Sequence, residues 1–245
     1  MLAASSVDTA AAGYRLLLGR RPDGASFQLA NVRLDLRGHE GADDGLSALA
    51  FAVGDMAKAQ HLLQQRALQT VADNKSQALH IAPGATHGVA MSVLARDPGM
   101  AALSSSPLDS VDHASAVASL DHVVIRSPNP ERAIALYAGR LGLSLRLDRT
   151  EPKWGARLVF FRCGDLIVEV VHDLEAGIGE AADRLWGLSW RVADIAKAHA
   201  RLRAAGVAVS DVRVGRRPQT KVFAVKSHTA GVPTLMIAAD PRLSG

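Results

Sequence analysis

Apolar positions along the chain fall into two alternating rhythms. Short β-branched or apolar runs of five to eight residues read as strands. Leu120–Ile125, Leu143–Arg149, Ala156–Arg162 and Asp165–Val171 are such runs, as are Leu188–Val192, Val207–Val214, Lys221–Lys226 and Thr234–Ala238. Between them lie segments with helical spacing. Ile134, Leu136, Tyr137 and Leu141 share one helix face, behind Asn129 as N-cap and Pro130 at the first helical position, with Gly142 as the stop. Asp194 caps a second helix over Ile195–Ala205, which Gly206 ends. The residues from 120 onward therefore read as two successive βαβββ units.

The amino-terminal half follows the same plan in shortened form. Asp8–Arg20 reads as a helix and Phe27–Arg37 as strand-rich. Ala48–Val53, a helix over Met56–Arg66, and strands near Leu68–Ala72, Ala78–Ala82 and Val89–Ala95 make one more complete unit. Three internal matches support a duplication. Val53-Gly54-Asp55-Met56-Ala57-Lys58-Ala59 returns as Val192-Ala193-Asp194-Ile195-Ala196-Lys197-Ala198. Thr86-His87-Gly88-Val89 is paired with Thr229-Ala230-Gly231-Val232, and Tyr14…Leu18-Gly19 with Tyr137…Leu141-Gly142. The stretch from Asp97 to Ser119, with Pro98, Gly99 and Ser104-Ser105-Ser106-Pro107, has the composition of a linker. The expected division is 1–114 and 115–245. In the first domain the opening strand is truncated, because the repeat offset puts the counterpart of His122 before Met1.

Composition narrows the class. The 245 residues are 48% hydrophobic, 21% charged and only 4% aromatic, values of a globular chain. The formal net charge is +4 and the charges are interspersed, with the densest basic stretch at Arg213, Arg216, Arg217 and Lys221. No basic stripe with interleaved aromatics marks a nucleic-acid surface, and no apolar run reaches membrane-spanning length. The expected partner is a small molecule, with no nucleic acid and no membrane. The lone Cys163 has no disulfide partner, so a reducing, cytoplasmic compartment is expected. Phosphate-binding loops, dinucleotide fingerprints, nucleophile elbows and paired-cysteine motifs are all missing from the sequence.

The combination L-D-H-V-V-I on a strand, E-R-A-I-A-L-Y-x-x-x-L-G-L on the helix after it, and I-V-E-V on a later strand resembles the vicinal oxygen chelate superfamily. That group includes glyoxalase I, bleomycin-resistance proteins and extradiol dioxygenases. The resemblance covers residues 120–240 best and 8–95 more weakly. It implies an α+β fold in which tandem βαβββ units form two glyoxalase-like domains with cupped mixed sheets. It also implies a divalent metal held by His and Glu or Gln on the first and fourth strands of each unit. Carried onto this chain, the ligands are His122 and Glu169, which double as the catalytic candidates. The remaining positions depart from the pattern. Gly187 and Met236 stand where the second unit would supply its ligands, and Asp35 aligns with Glu169 in a unit lacking the histidine.

Two functions follow from the resemblance. In the first, the carboxy-terminal cup binds a small organic molecule, with an anion among the candidates, around a degenerate metal site and needs no cofactor. Arg191, Arg126, Ser189, Trp154, Trp190 and Met236 are its candidate substrate-binding residues, and Arg191 suits a carboxylate or phosphate. In the second, His122 and Glu169 hold Mn, Fe, Zn or Ni in a lyase, isomerase or dioxygenase that polarises a carbonyl or enolate. Each residue also has a purely structural explanation. His122 could be a hydrogen-bonded core histidine, Glu169 an ion-pair partner of Arg126 or Arg191, and the tryptophans packing groups. Homodimerisation is a further expectation.

Overall fold

The computed structural model describes residues 1–41, 43–73, 75–96 and 105–240. In chain order the elements are β1 (Leu2–Ala4), α1 (Val7–Leu18), β2 (Ser26–Gln28), β3 (Arg33–Gly38), β4 (Gly45–Leu46) and β5 (Ala48–Val53). There follow α2 (Met56–Gln65), β6 (Thr70–Asp73), β7 (Ala78–Ile81), β8 (Ala90–Ala95) and β9 (Val117–Arg126). Next come α3 (Pro130–Ile134), continued by a π-helical segment over Ala135–Arg140, then β10 (Ser144–Glu151), β11 (Ala156–Cys163) and β12 (Leu166–Asp173). The last elements are β13 (Arg184–Val192), α4 (Ile195–Ala204), β14 (Arg213–Val214), β15 (Thr220–Val225) and β16 (Thr234–Ala239). This is the expected α+β alternation. The expected linker enters β9 at Val117, and its residues 97–104 lie outside those described.

The strand order repeats. β5-β8-β7-β6 and β13-β16-β15-β14 place the first strand of a module beside the fourth, in parallel, with the remaining pairs antiparallel. The first module has only β1-β3-β2, again with a parallel first pair. A three-residue β1 is present, so the strand missing from this module is the one that should follow α1. Its place is taken by a tight turn in which Asp23 and Ser26 exchange backbone hydrogen bonds of 2.8 and 3.0 Å.

By contact the chain divides into two compact units. The first comprises Met1–Leu46, Leu103–Val123 and Gly187–Gly245, so it joins the first module to the fourth. The second comprises Ser47–Ala102 and Val124–Trp186, the second module with the third. The two units use the same joint. In the first, Arg201 of α4 donates to Leu16 O (2.5 Å) and Leu17 O (3.0 Å), carbonyls that the end of α1 leaves without intrahelical partners. In the second, Arg140 donates to Arg66 O (3.0 Å) and to Ala67 O at the end of α2. A guanidinium suits that position because the helix C-terminus carries partial negative charge.

In the first unit, members of two repeat pairs read from the sequence meet at this joint. The phenol of Tyr14, on α1, donates to Thr229 O at 3.3 Å. Its neighbour Gly13 lies so close to the same turn that a Cβ would stand 2.9 Å from His228 O. A glycine inside a helix costs stability relative to alanine, and this approach is the compensating reason for it. Backbone cannot yield as a flexible side chain would. Gly13→Val is therefore expected to destabilise the fold by about 2 kcal/mol, the range of overpacked sites. A urea midpoint equal to or above that of the wild type would contradict this packing.

Candidate functional site

The first unit brings together polar side chains from two strands and a turn. β9 supplies Asp121 and His122, and β13 supplies Ser189 and Arg191. Arg217 comes from the turn between β14 and β15, where Thr220 Oγ1 donates to Arg217 O at 2.6 Å and fixes its backbone. Asp121 is the hub. Its Oδ2 lies 2.9 Å from His122 Nδ1, and its Oδ1 accepts from Arg191 Nε at 2.8 Å. Arg217 Nη1 donates to the same carboxylate at 3.3 and 3.5 Å.

Burial acts to raise the pKa of Asp121, whose side chain is 3% exposed. Hydrogen bonds from His122 and Arg191 and the nearby charge of Arg217 outweigh it and hold the carboxyl well below the usual carboxylate range. An ionised carboxylate only accepts, so His122 Nδ1 carries the proton. Nε2 lies 2.8 Å from Ser189 Oγ, within hydrogen-bond distance. Both ring nitrogens are thereby engaged. Ser189 is 1% exposed, so its hydroxyl serves the imidazole rather than an incoming substrate. Two guanidiniums share one carboxylate beside the imidazole. Arg217 is the outermost member, 55% exposed.

Two further candidates share the strands of this unit. Trp190 and Met236 are register neighbours across β13 and β16, and Phe223 is paired to Met236. All three are fully buried. They point to the face opposite Ser189 and Arg191, because successive strand residues alternate. Met236 is therefore not the fourth-strand counterpart that the sequence suggested, and Trp190 is a packing group. Glu169, Arg126 and Trp154 belong to the second unit. There Glu169 is half-buried opposite Phe160, the Arg126 guanidinium sits 4.5 Å from the ring centre of Trp186, and Arg149 sits 5.5 Å from that of Trp154. Cys163 is half-buried, and burial together with the charge of Asp165 pushes its thiol pKa up, away from nucleophile chemistry.

A divalent metal does not fit the residues of this cluster. His122 has no nitrogen lone pair clear of a hydrogen bond. Gly187 offers no donor, and its Cβ position is closed by Pro233 O at 2.9 Å, so the glycine serves the β13–β16 contact. No group of three or more His, Cys, Asp or Glu among the described residues is arranged to hold a metal ion.

Asp121 and Arg217 escaped the sequence reading. Adjacent strand residues normally face opposite ways, so period-two reasoning sends Asp121 away from His122. The available signal was an acidic residue inside an apolar strand, a poor strand former that needs a partner. Because its pKa is depressed in the fold, Asp121 contributes stability above about pH 4, the ordinary carboxylate value, and loses it as pH falls further. Asp121→Asn is expected to cost about 2 kcal/mol at pH 7, less than a fully buried pair because both arginines reach solvent. It is also expected to flatten the acid limb of stability against pH, which urea melts from pH 7 down to pH 3 would read.

Comparison with known proteins bears on the same residues. The sequence family described as Glyoxalase/Bleomycin resistance protein/Dioxygenase superfamily matches residues 121–223. An ethylmalonyl-CoA/methylmalonyl-CoA epimerase of Cereibacter sphaeroides is 31% identical over 97 residues, which are 37% of this chain and 72% of that protein. Among solved structures, BphC, a halotolerant catechol dioxygenase, is 14% identical with a TM-score of 0.70 over 97% of this chain and 84% of its own. Methylmalonyl-CoA epimerase from Mycobacterium tuberculosis is 22% identical with a TM-score of 0.45, over 52% of this chain and 92% of its own. The identity to the Cereibacter relative, over most of that protein's length, establishes that the chain belongs to the glyoxalase/bleomycin-resistance/dioxygenase superfamily.

Proposed function

We propose that the protein binds a small organic anion, without a metal ion, at the face of the first unit formed by His122, Arg191 and Arg217. The observation that carries this reading is the convergence of two guanidiniums on one buried carboxylate. Asp121 fixes the arginines in place, and Arg217 is 55% exposed to solvent. A carboxylate or phosphate of a ligand would meet it through charge-assisted hydrogen bonds. Arg217, exposed and mounted on a turn, makes the first contact. His122, held through Nδ1 by Asp121, presents an oriented ring edge beside it.

The Cereibacter relative supports an anionic ligand class. Its name gives ethylmalonyl-CoA and methylmalonyl-CoA, thioesters that each carry a free carboxylate. Malonate half-thioesters are accordingly the first probes. Glu169, Arg126 and Trp154 are not required by this reading.

Calorimetric titration with a malonate half-thioester in the presence of EDTA tests it. Binding is expected to persist in the chelator. Arg217→Ala is expected to weaken it about tenfold, or about 1.4 kcal/mol, the order of one hydrogen bond to a charged group. Binding that appears only with added divalent metal, or that is indifferent to Arg217, would refute the proposal.

A further inference from the structure

The first module lacks the strand that should follow α1, and a cavity of about 610 Å³ opens beside β2, the strand left at the edge of its sheet. In the other modules β6, β10 and β14 hold that outer place. The cavity lies within the first unit. One wall is the segment Arg21–Asp23 after α1, the second is the β2–β3 hairpin with Gln28 and Arg33, and the third is Ser106-Pro107 ahead of β9. A volume of this size suits a small-molecule ligand.

The walls are fixed from behind. Arg20, itself 5% exposed, donates through Nη1 to Ser106 O at 2.8 Å and through Nε to Val117 O at 2.6 Å. Ser106 in turn closes the edge of β2. Gln28 N donates to Ser106 Oγ at 2.9 Å, and Ser106 N donates to Gln28 O at 2.7 Å. Arg21 N donates to Pro107 O at 2.8 Å, and Asp23 is held by its backbone exchange with Ser26. The outward backbone groups of Ser26 and Gln28 are thus engaged. The edge is closed to a further strand, so an extended peptide is excluded as the occupant.

The side chains along the walls differ in what remains open to a ligand. Arg33 is committed, with Nε 2.7 Å from Asp35 Oδ1 and Nη2 3.1 Å from Ser26 Oγ. Arg21 makes one long bond, from Nε to Leu108 O at 3.3 Å, and its terminal nitrogens have no partner among the described residues. The carboxylate of Asp23 has none there either, and no ion pair joins it to Arg21. The two residues stand on a pinned backbone, two positions or about 7 Å apart. An open guanidinium and an open carboxylate at that spacing complement a ligand that carries a carboxylate and an ammonium close together. A simple anion would meet like charge at Asp23, and a simple cation would meet it at Arg21. We propose that this cavity binds a free α-amino acid, with its carboxylate on Arg21, its ammonium on Asp23 and its side chain against Pro22 and Pro107.

Calorimetric titration of the full chain with the common L-amino acids, one at a time, tests the site. At least one is expected to bind with millimolar affinity or better. Its N-acetyl derivative and its methyl ester, which each lack one charge, are expected to bind about tenfold more weakly. Two variants assign the contacts. Arg21 and Asp23 are exposed, so Arg21→Gln and Asp23→Asn leave the fold intact. In Arg21→Gln the free acid is expected to bind no better than its methyl ester, and in Asp23→Asn no better than its N-acetyl derivative. Absence of binding by every amino acid would overturn the proposal. So would derivatives that bind as tightly as the parent, or variants in which the parent keeps its advantage.

Discussion

A carboxylate withdrawn from water must be given partners, and in the first unit that requirement fixes the whole polar arrangement. Asp121 is enclosed within β9, yet it remains ionised because an imidazole and two guanidiniums are directed at it. Those bonds decide in turn what each partner can do. The ring of His122 is held at Nδ1, and its far nitrogen is committed to Ser189. Arg191 is drawn against the strand, while Arg217 keeps most of its donors toward solvent. The ion-pair requirement of one buried residue thus produces an oriented polar face.

The same arrangement accounts for the relation between this chain and its superfamily. The strand that carries His122 is the one the family resemblance points to for a metal ligand. In this chain the histidine is occupied from both sides, and Gly187 is pressed against Pro233.

Much of the fold was legible because local rules suffice for it. The repeated V-x-D-[MI]-A-K-A located Asp55 and Asp194, whose side chains accept from Lys58 N and from Ala196 N and Lys197 N as N-caps. Asn129 and Pro130 opened α3 as expected. The misses arose where side chains or distant segments override local pattern. Val207–Val214 reads as a strand, but only Arg213–Val214 and one bridge at Val209 pair regularly. Ser210 Oγ and Ser227 Oγ take up Ala224 N and Ala208 N in place of ladder partners. Of the cluster, the family resemblance pointed to His122, and strand parity put Ser189 and Arg191 on one face. Asp121 was hidden by that same parity, and Arg217 by its sequence separation of 96 from its partner. Met236 was misassigned by one position, which on a strand reverses the face.

The central claim is that His122 is held by Asp121 at Nδ1 and by Ser189 at Nε2, and so is closed to metal. Nitrogen-15 NMR of the imidazole side chains, recorded near neutral pH with and without added zinc, tests it most directly. The account predicts a protonated Nδ1 and no change in either nitrogen signal on adding the metal. A shift or loss of the Nε2 signal of His122 with stoichiometric zinc would contradict it.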